Sequence, residues 1–359
     1  MSTGSARAWL EPPTTLRHDP VLKVRRAAAA ELRLSTIVVA FGKESLLEDC
    51  LHSLDTALEA VDGETELIIV LNRLSPAGWE RVSRSLRAPI IVDSGRNLGF
   101  AGGVAAGLAL ARGEWVALVN DDCVAEAGAL SELLAAGSKN VDIGSVAARI
   151  LFAGTSTINS AGIEIDELGI AYERLVGKQV ATSEPHVVDV FGASAAAGLY
   201  RRAMLEAIGG FDESFFAYLE DADLAWRARM NGWRCVYAPR ATFVHHHSST
   251  LGHGSRQKHY LVGRNRIRML AKNAATAHIQ RNAIRMALYD LLYVAFIAAT
   301  RRTLAPLYGR LRGLREWRAY REIGERHREE ITLATSRGIR EALGRNRAYR
   351  LNSHTGEAK

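Results

Sequence analysis

Four stretches of the chain combine residue types and spacings suited to chemistry. The first is Asn120-Asp121-Asp122. Adjacent carboxylates repel unless a cation lies near them, and hard oxygen ligands suit Mg2+ or Mn2+, which keep open positions for substrate phosphates. The same triplet also suits a polar turn whose Asp caps the next helix. The second is Gly209-Gly210-Phe211-Asp212-Glu213-Ser214-Phe215-Phe216-Ala217-Tyr218-Leu219-Glu220-Asp221-Ala222-Asp223-Leu224. Asp223 can pair with Arg227 four residues on. Glu220 and Asp221 open a helix, whose dipole favours their ionised form. Acids among Phe and Tyr cost desolvation unless used, so a carboxylate here is a candidate general base. The third is His245-His246-His247, where His245 and His247 share one side of an extended segment and one of them could ligate a metal or phosphate. A solvated loop is the other reading, and a dedicated zinc site lacks neighbouring ligands. The fourth is Arg96-Asn97-Leu98-Gly99-Phe100-Ala101-Gly102-Gly103, whose glycines would let backbone N–H groups approach a phosphate or ribose.

These stretches need a scaffold, and the apolar pattern supplies one. Runs at 36–41, 66–71, 90–92 and 115–119 read as buried strands. Helix-like segments at 44–60, 79–86 and 103–111 alternate with them. That alternation predicts an α/β fold with a mostly parallel sheet flanked by helices. Ligands bind such sheets at the carboxyl ends of the strands, which puts chemistry in the loops after Phe41, Leu71, Val92 and Val119. From 141 to 250 the chain mixes short strands with a helix at 221–230, stopped by Asn231-Gly232. Residues 1–30, with Pro12, Pro13 and Pro20, read as a flexible leader. Residues 31–255 read as the main domain, and 256–359 as a basic helical extension broken at Pro306.

The chain has 359 residues, 48% hydrophobic and 24% charged, which excludes disorder for most of its length. Its charge of +7 hides a split: 23 Lys and Arg against 8 Asp and Glu from 256 onward, but 23 against 31 before it. Three scattered cysteines fit a reducing compartment. The N-terminus lacks a signal-peptide core, and no span is read as reaching the roughly 18 residues that cross a bilayer. The nearest, 286–300, is interrupted by Asp290. A cytoplasmic protein is expected. A nucleic-acid partner is excluded by the acidic body and the absence of a recognition motif. A dehydrogenase is disfavoured because no glycine fingerprint follows Phe41.

In order and spacing, the four stretches together resemble the inverting glycosyltransferases of family 2, with the GT-A fold, in their rhamnosyltransferase-like branch. The resemblance covers about 34–273 and is most specific at 209–224. It implies that Asp122, with Asp121 beside it, takes the metal and diphosphate role. Asp221 would deprotonate the acceptor, with Glu220 as neighbour, and His245 would help hold the metal. Asn97, Gly99 and Asn120 would lie on the donor side. Arg201 and Arg202 stand where the family carries an Arg before the acidic stretch, near donor or acceptor. Phe41-Gly42 and Leu71-Asn72 depart from the family's Tyr-Asn and Asp-Asn strand ends, and Val104-Ala105 from its Asn. Phe41 and Asn72 are the donor-side residues left at those strand ends, and base recognition would differ.

The resemblance implies single displacement with inversion, from a nucleotide-diphosphate sugar to a hydroxyl of a glycan or lipid-linked acceptor, in polysaccharide or cell-envelope synthesis. Rhamnose from dTDP is the first expectation, and a UDP-hexose the second. The Arg-rich extension would then suit an anionic inner leaflet, placing the enzyme peripherally on the membrane. A bundle packed on the body, or an oligomer contact, is the competing reading. A catalytically weak nucleotide-sugar or glycan-binding module is the competing function.

Overall fold

The computed structural model describes residues 32–41, 44–72, 88–182, 184–246, 255–324 and 331–334. The expected leader at 1–30, the expected helix at 79–86, Gly42 and His247 lie outside the described residues. The first half runs β1 (Leu34–Ala40), α1 (Glu44–Glu59), β2 (Thr65–Leu71), β3 (Ile90–Asp93), α2 (Gly99–Leu108), β4 (Trp115–Asn120), β5 (Cys123–Ala125), α3 (Ala129–Gly137) and β6 (Ile143–Phe152). Short strands follow at β7 (Ile158–Ser160), β8 (Ile163–Ile165), β9 (Ala171–Glu173) and β10 (Val188–Val190). Then come β11 (Ala197–Arg201), α4 (Arg202–Ile208), α5 (Glu220–Met230) and β12 (Arg234–His245). The described chain ends in α6 (Arg256–Asn273), α7 (Thr276–Arg301), α8 (Ala305–Arg315) and α9 (Trp317–Ile323).

The main sheet has the order β10-β12-β6-β11-β4-β1-β2-β3. The half β3-β2-β1-β4 is parallel, as the sequence predicts. The other half is mixed, because β11 runs antiparallel to both β4 and β6 while β12 is parallel to β6. Strand β1 is buried along its whole length. Its side chains alternate between two cores: Leu34, Val38 and Ala40 face one, Ile37 and Val39 the other. Burying such Val, Leu and Ile side chains stabilises the sheet by about 1.5–3 kcal/mol each.

The boundaries differ from the sequence reading where glycine is involved. Helix α2 begins at Gly99, not at 103, so the candidate donor loop already forms the first turn of that helix. The basic extension also differs. Helix α6 buries Arg264, Arg266, Arg268 and Lys272. Helix α7 is 26 residues long and is apolar enough, by length and composition, to cross a membrane. This corrects the expectation of an interrupted span: Asp290 is turned inward, to Arg266 at 3.0 Å and Arg310 at 2.8 Å. Helices α6 and α8 approach so closely that a Cβ on Gly309 would lie 2.1 Å from the Tyr260 carbonyl oxygen.

Candidate active site

The carboxyl ends of β1 and β4 meet at Asn120-Asp121-Asp122. The Asp121 carboxylate accepts the Phe41 amide N–H at 2.7 Å, so Phe41 joins the site through its backbone. One Asp122 oxygen lies 3.0 Å from His245 Nε2. The Asp122 carbonyl accepts the His246 amide at 2.9 Å. The antiparallel pairing of β5 with β12 sets Cys123 opposite His245, which is why two residues so distant in sequence meet here. His245 Nδ1 sits 3.1 Å from Asn159 Oδ1. Burial opposes charge on this imidazole, but the Asp122 carboxylate outweighs it and holds the pKa above its ordinary value.

Ligand atoms of Asp122, Cys123 and His245 fall within 4.8 Å of one another. Burial, with the neighbouring Asp122 charge, pushes the Cys123 thiol well up, and its soft sulfur suits a hard cation poorly. A carboxylate oxygen and an imidazole remain, and the Oδ1 of Asn120 is buried at the same strand end with no hydrogen-bond partner. This donor set fits a divalent cation of the Mg2+ or Mn2+ kind.

The candidate donor loop is tied to the end of β2. Asn72 is buried, accepts the Leu98 amide at 2.7 Å and donates to the Gly99 carbonyl at 3.0 Å. Asn97 Oδ1 accepts the Gly99 amide at 2.8 Å. The side chain of Asn72 is therefore occupied in shaping the loop around Asn97 and Gly99. Gly99 has φ +73°, and a Cβ there would stand 2.3 Å from the Phe216 carbonyl oxygen, so only glycine fits.

The acid pair reaches the same place through β11. Asp221 accepts the Ala195 amide at 3.2 Å and the Ala222 amide at 2.8 Å. The next carbonyl, of Ala196, accepts the Asn120 amide at 2.9 Å. Glu220 is buried, and its Oε2 has no hydrogen-bond partner. Burial, then the Asp221 charge, pushes Glu220 up to about 8. Asp221 is also raised by burial, but the Ala195 and Ala222 amides oppose the shift. The two amides that Asp221 accepts favour its ionised form over that of Glu220, whose Oε2 has no such donor. Asp223 is different: burial would raise it, but Arg227 and Lys272 hold it below the usual carboxylate range. It pairs with Arg227 at 2.8 Å, as its spacing predicts.

Glu173 is a site residue that the motifs do not point to. It accepts hydrogen bonds from Ser160 and, at 3.1 Å, from Ser194. Burial, then the Asp221 charge, pushes it up to about 7, while His245 acts in the opposite sense. It stands on a short hairpin far from the other acids in sequence, with no spacing that would single it out. The arginines expected at the site are elsewhere. Arg202 donates to the Gly113 carbonyl at 2.9 Å and pairs with Glu206, and Arg201 lies over Trp115 at 4.2 Å. Both stand at the amino end of β4, away from Asp122.

Residues 35–209 match the model of the family "Glycosyl transferase family 2". The N-acetylglucosaminyl-diphospho-decaprenol L-rhamnosyltransferase of Mycobacterium tuberculosis is 41% identical over 69 residues, 19% of this chain and 22% of that protein. The O-antigen biosynthesis protein RfbC of Myxococcus xanthus is 28% identical over 147 residues, 39% of this chain and 11% of that protein. The chain thus spans only a small part of these curated relatives. A crystal structure of GalNAc-T7 with UDP, GalNAc and Mn2+ is similar in fold, with a TM-score of 0.54 and 13% identity over 90% of this chain and 58% of that one. The mixed sheet flanked by helices is of the GT-A type, and residues 35–209 form a glycosyl transferase family 2 region.

Proposed function

We propose that the chain is a metal-dependent, inverting glycosyltransferase that moves a sugar, rhamnose in the first instance, from a nucleotide-diphosphate donor to a hydroxyl of a glycan or lipid-linked acceptor. The observation that carries this reading is the short bridge from Asp221 through Ala195 and Ala196 to Asn120. It brings a polarised carboxylate next to a strand end rich in cation ligands. Asp122 and His245 would hold Mg2+ or Mn2+, which when bound neutralises charge on a departing diphosphate. Asp221, whose ionised form two backbone amides favour, takes the acceptor proton as the new bond forms. Glu220, still protonated at neutral pH, adds no second negative charge beside it. Asn72 fixes the loop that carries Asn97 and Gly99 toward the donor, which serves orientation. The name of the mycobacterial relative supports rhamnose and a lipid-linked acceptor, and that of the O-antigen biosynthesis protein supports polysaccharide or envelope synthesis.

The same reading puts the protein on the cytoplasmic face of a membrane, where a lipid-linked acceptor would be found. Helix α7 exposes Ile284, Leu288, Leu291 and Leu292 on one side, with Arg281 and Arg285 near its start and Arg301 and Arg302 at its end. Apolar faces flanked by arginines suit an anionic interface.

The test is sugar transfer by Asp221→Asn, with dTDP and UDP sugars and Mn2+. The expected result is a loss of about a thousandfold in kcat, since a general base contributes about 10²–10⁴. Donor affinity, read by calorimetry, should change by less than about threefold. Undiminished turnover would remove Asp221 from the role. Donor binding by the unmodified chain, with no transfer to any acceptor, would instead favour a nucleotide-sugar or glycan-binding module.

A further inference from the structure

The segment 213–219 joins the two halves of the site. It leads directly into Glu220, and its Phe216 carbonyl accepts the Ala101 amide of α2 at 3.1 Å. Three of its non-glycine residues hold left-handed φ angles: Phe216 at +66°, Tyr218 at +71° and Leu219 at +67°. L residues avoid this region, so neighbours must impose it.

One side chain meets three of the segment's carbonyls. Asn265, wholly buried on α6, shares the two N–H groups of its Nδ2 among the carbonyls of Phe215 at 2.9 Å, Ala217 at 2.9 Å and Tyr218 at 2.7 Å. Its Oδ1 accepts Arg264 Nε at 3.0 Å, and Arg264 itself donates to the Phe215 carbonyl at 2.8 Å. Nothing in the glycine loop or the acid motif supplies this clamp. It comes from a helix beyond residue 255, in the stretch whose composition reads as an appended basic tail.

We infer that Asn265 is a positioning residue for Asp221: by gathering three carbonyls of 213–219, it fixes the distance between the acid pair and the donor loop. This rests on the reaction proposed above. Without the amide, those carbonyls are buried with fewer donors, and Tyr218 and Leu219 can relax toward right-handed φ. Such a rotation just before Glu220 would swing the acid pair, and a displacement of about 1 Å at a reacting group costs about 100-fold in rate.

Asn265→Ala should be compared with Asn282→Ala. Asn282 is also buried on a neighbouring helix, but among the described residues it bonds within α7, to the His278 carbonyl and Arg285. Well below both melting temperatures, Asn265→Ala should lower kcat by about 30–100-fold while donor KM stays within about threefold. Asn282→Ala should leave kcat within about twofold. Asn265→Ser, which keeps one donor, should fall between and replaces the alanine variant if that one does not fold. Amide hydrogen exchange at 213–221 should quicken in the Asn265 variants and not in Asn282→Ala. Equal kcat in both alanine variants, or a loss confined to donor KM, would overturn the inference. If the unmodified chain transfers no sugar, the proposed reaction fails, yet exchange still decides: unchanged rates at 213–221 would refute the clamp itself.

Discussion

Glu220 is the acid that does not ionise at neutral pH, and this has a measurable cost. Its ordinary pKa of 4.5 is pushed up to about 8 in the folded chain. As pH rises between those values, the unfolded chain sheds a proton that the folded chain keeps. Stability from this group is therefore full below about 4.5 and declines toward about 8, at up to about 1.4 kcal/mol per pH unit. Glu220→Gln removes that proton, so its Tm between about pH 5 and 8 should fall less steeply than that of the unmodified chain. Parallel Tm profiles from scanning fluorimetry would contradict the buried, protonated Glu220. A shallower slope should persist in the variant, because Glu173 is raised to about 7 and acts with the same sign. At this scale the acid motifs were legible as places in the fold: Asp122 and His245 stand at strand ends, and Asp221 in the first turn of a helix. Glu173 and Asn265 were not, because a bond from a side chain to a serine or a carbonyl tens of residues away leaves no local spacing. Asn72 was legible as a position but not in its work, which is to hold the donor loop.

Helices and strands explain where those readings diverged. The parallel half of the sheet followed from its apolar runs, each within a residue or two of the observed strand. Strand β11 could not be oriented from sequence. Being antiparallel to β4, it ends at Trp115, the opposite end from Asn120, and it carries Arg201 and Arg202 away with it. The packing of α6 on α5 was equally hidden. Lys272 reaches Asp212 at 2.7 Å and Asp223 at 3.1 Å, and Asn273 donates to Asp223 at 2.8 Å. Asp223 is fully buried, so Lys272→Met leaves it short of a cation and should destabilise the chain by about 3 kcal/mol, read from urea unfolding. Because partners hold the Asp223 pKa low, its contribution exists above the ordinary carboxylate pKa and fades as pH falls. The loss in Lys272→Met should therefore be smaller in acid than at neutral pH, and an equal loss at both would assign the effect to packing alone.

Across the whole molecule, the charge split seen in the sequence takes a different form. Much of the basic excess of α6 and α8 faces inward: Arg266 and Arg310 meet Asp290, Arg268 meets Glu316, and Lys272 meets the acid segment. Any membrane contact would then depend on the apolar side of α7 and the arginines near its ends. Replacing Leu288 and Leu291 together by Glu should abolish flotation with anionic vesicles while sugar transfer to a soluble acceptor analogue persists. Flotation equal to that of the unmodified chain would discard the interface. The family match ends at residue 209, but Asp221, His245 and Asn265 all lie beyond it. Phe216 lies against Gly99, and its carbonyl accepts the Ala101 amide, so the donor loop and the acid segment are shaped to each other. Chimeras with related enzymes are thereby constrained: a breakpoint at 209 would join a donor loop to a foreign acid segment, whereas exchanging 97–103 together with 210–273 would carry a matched pair.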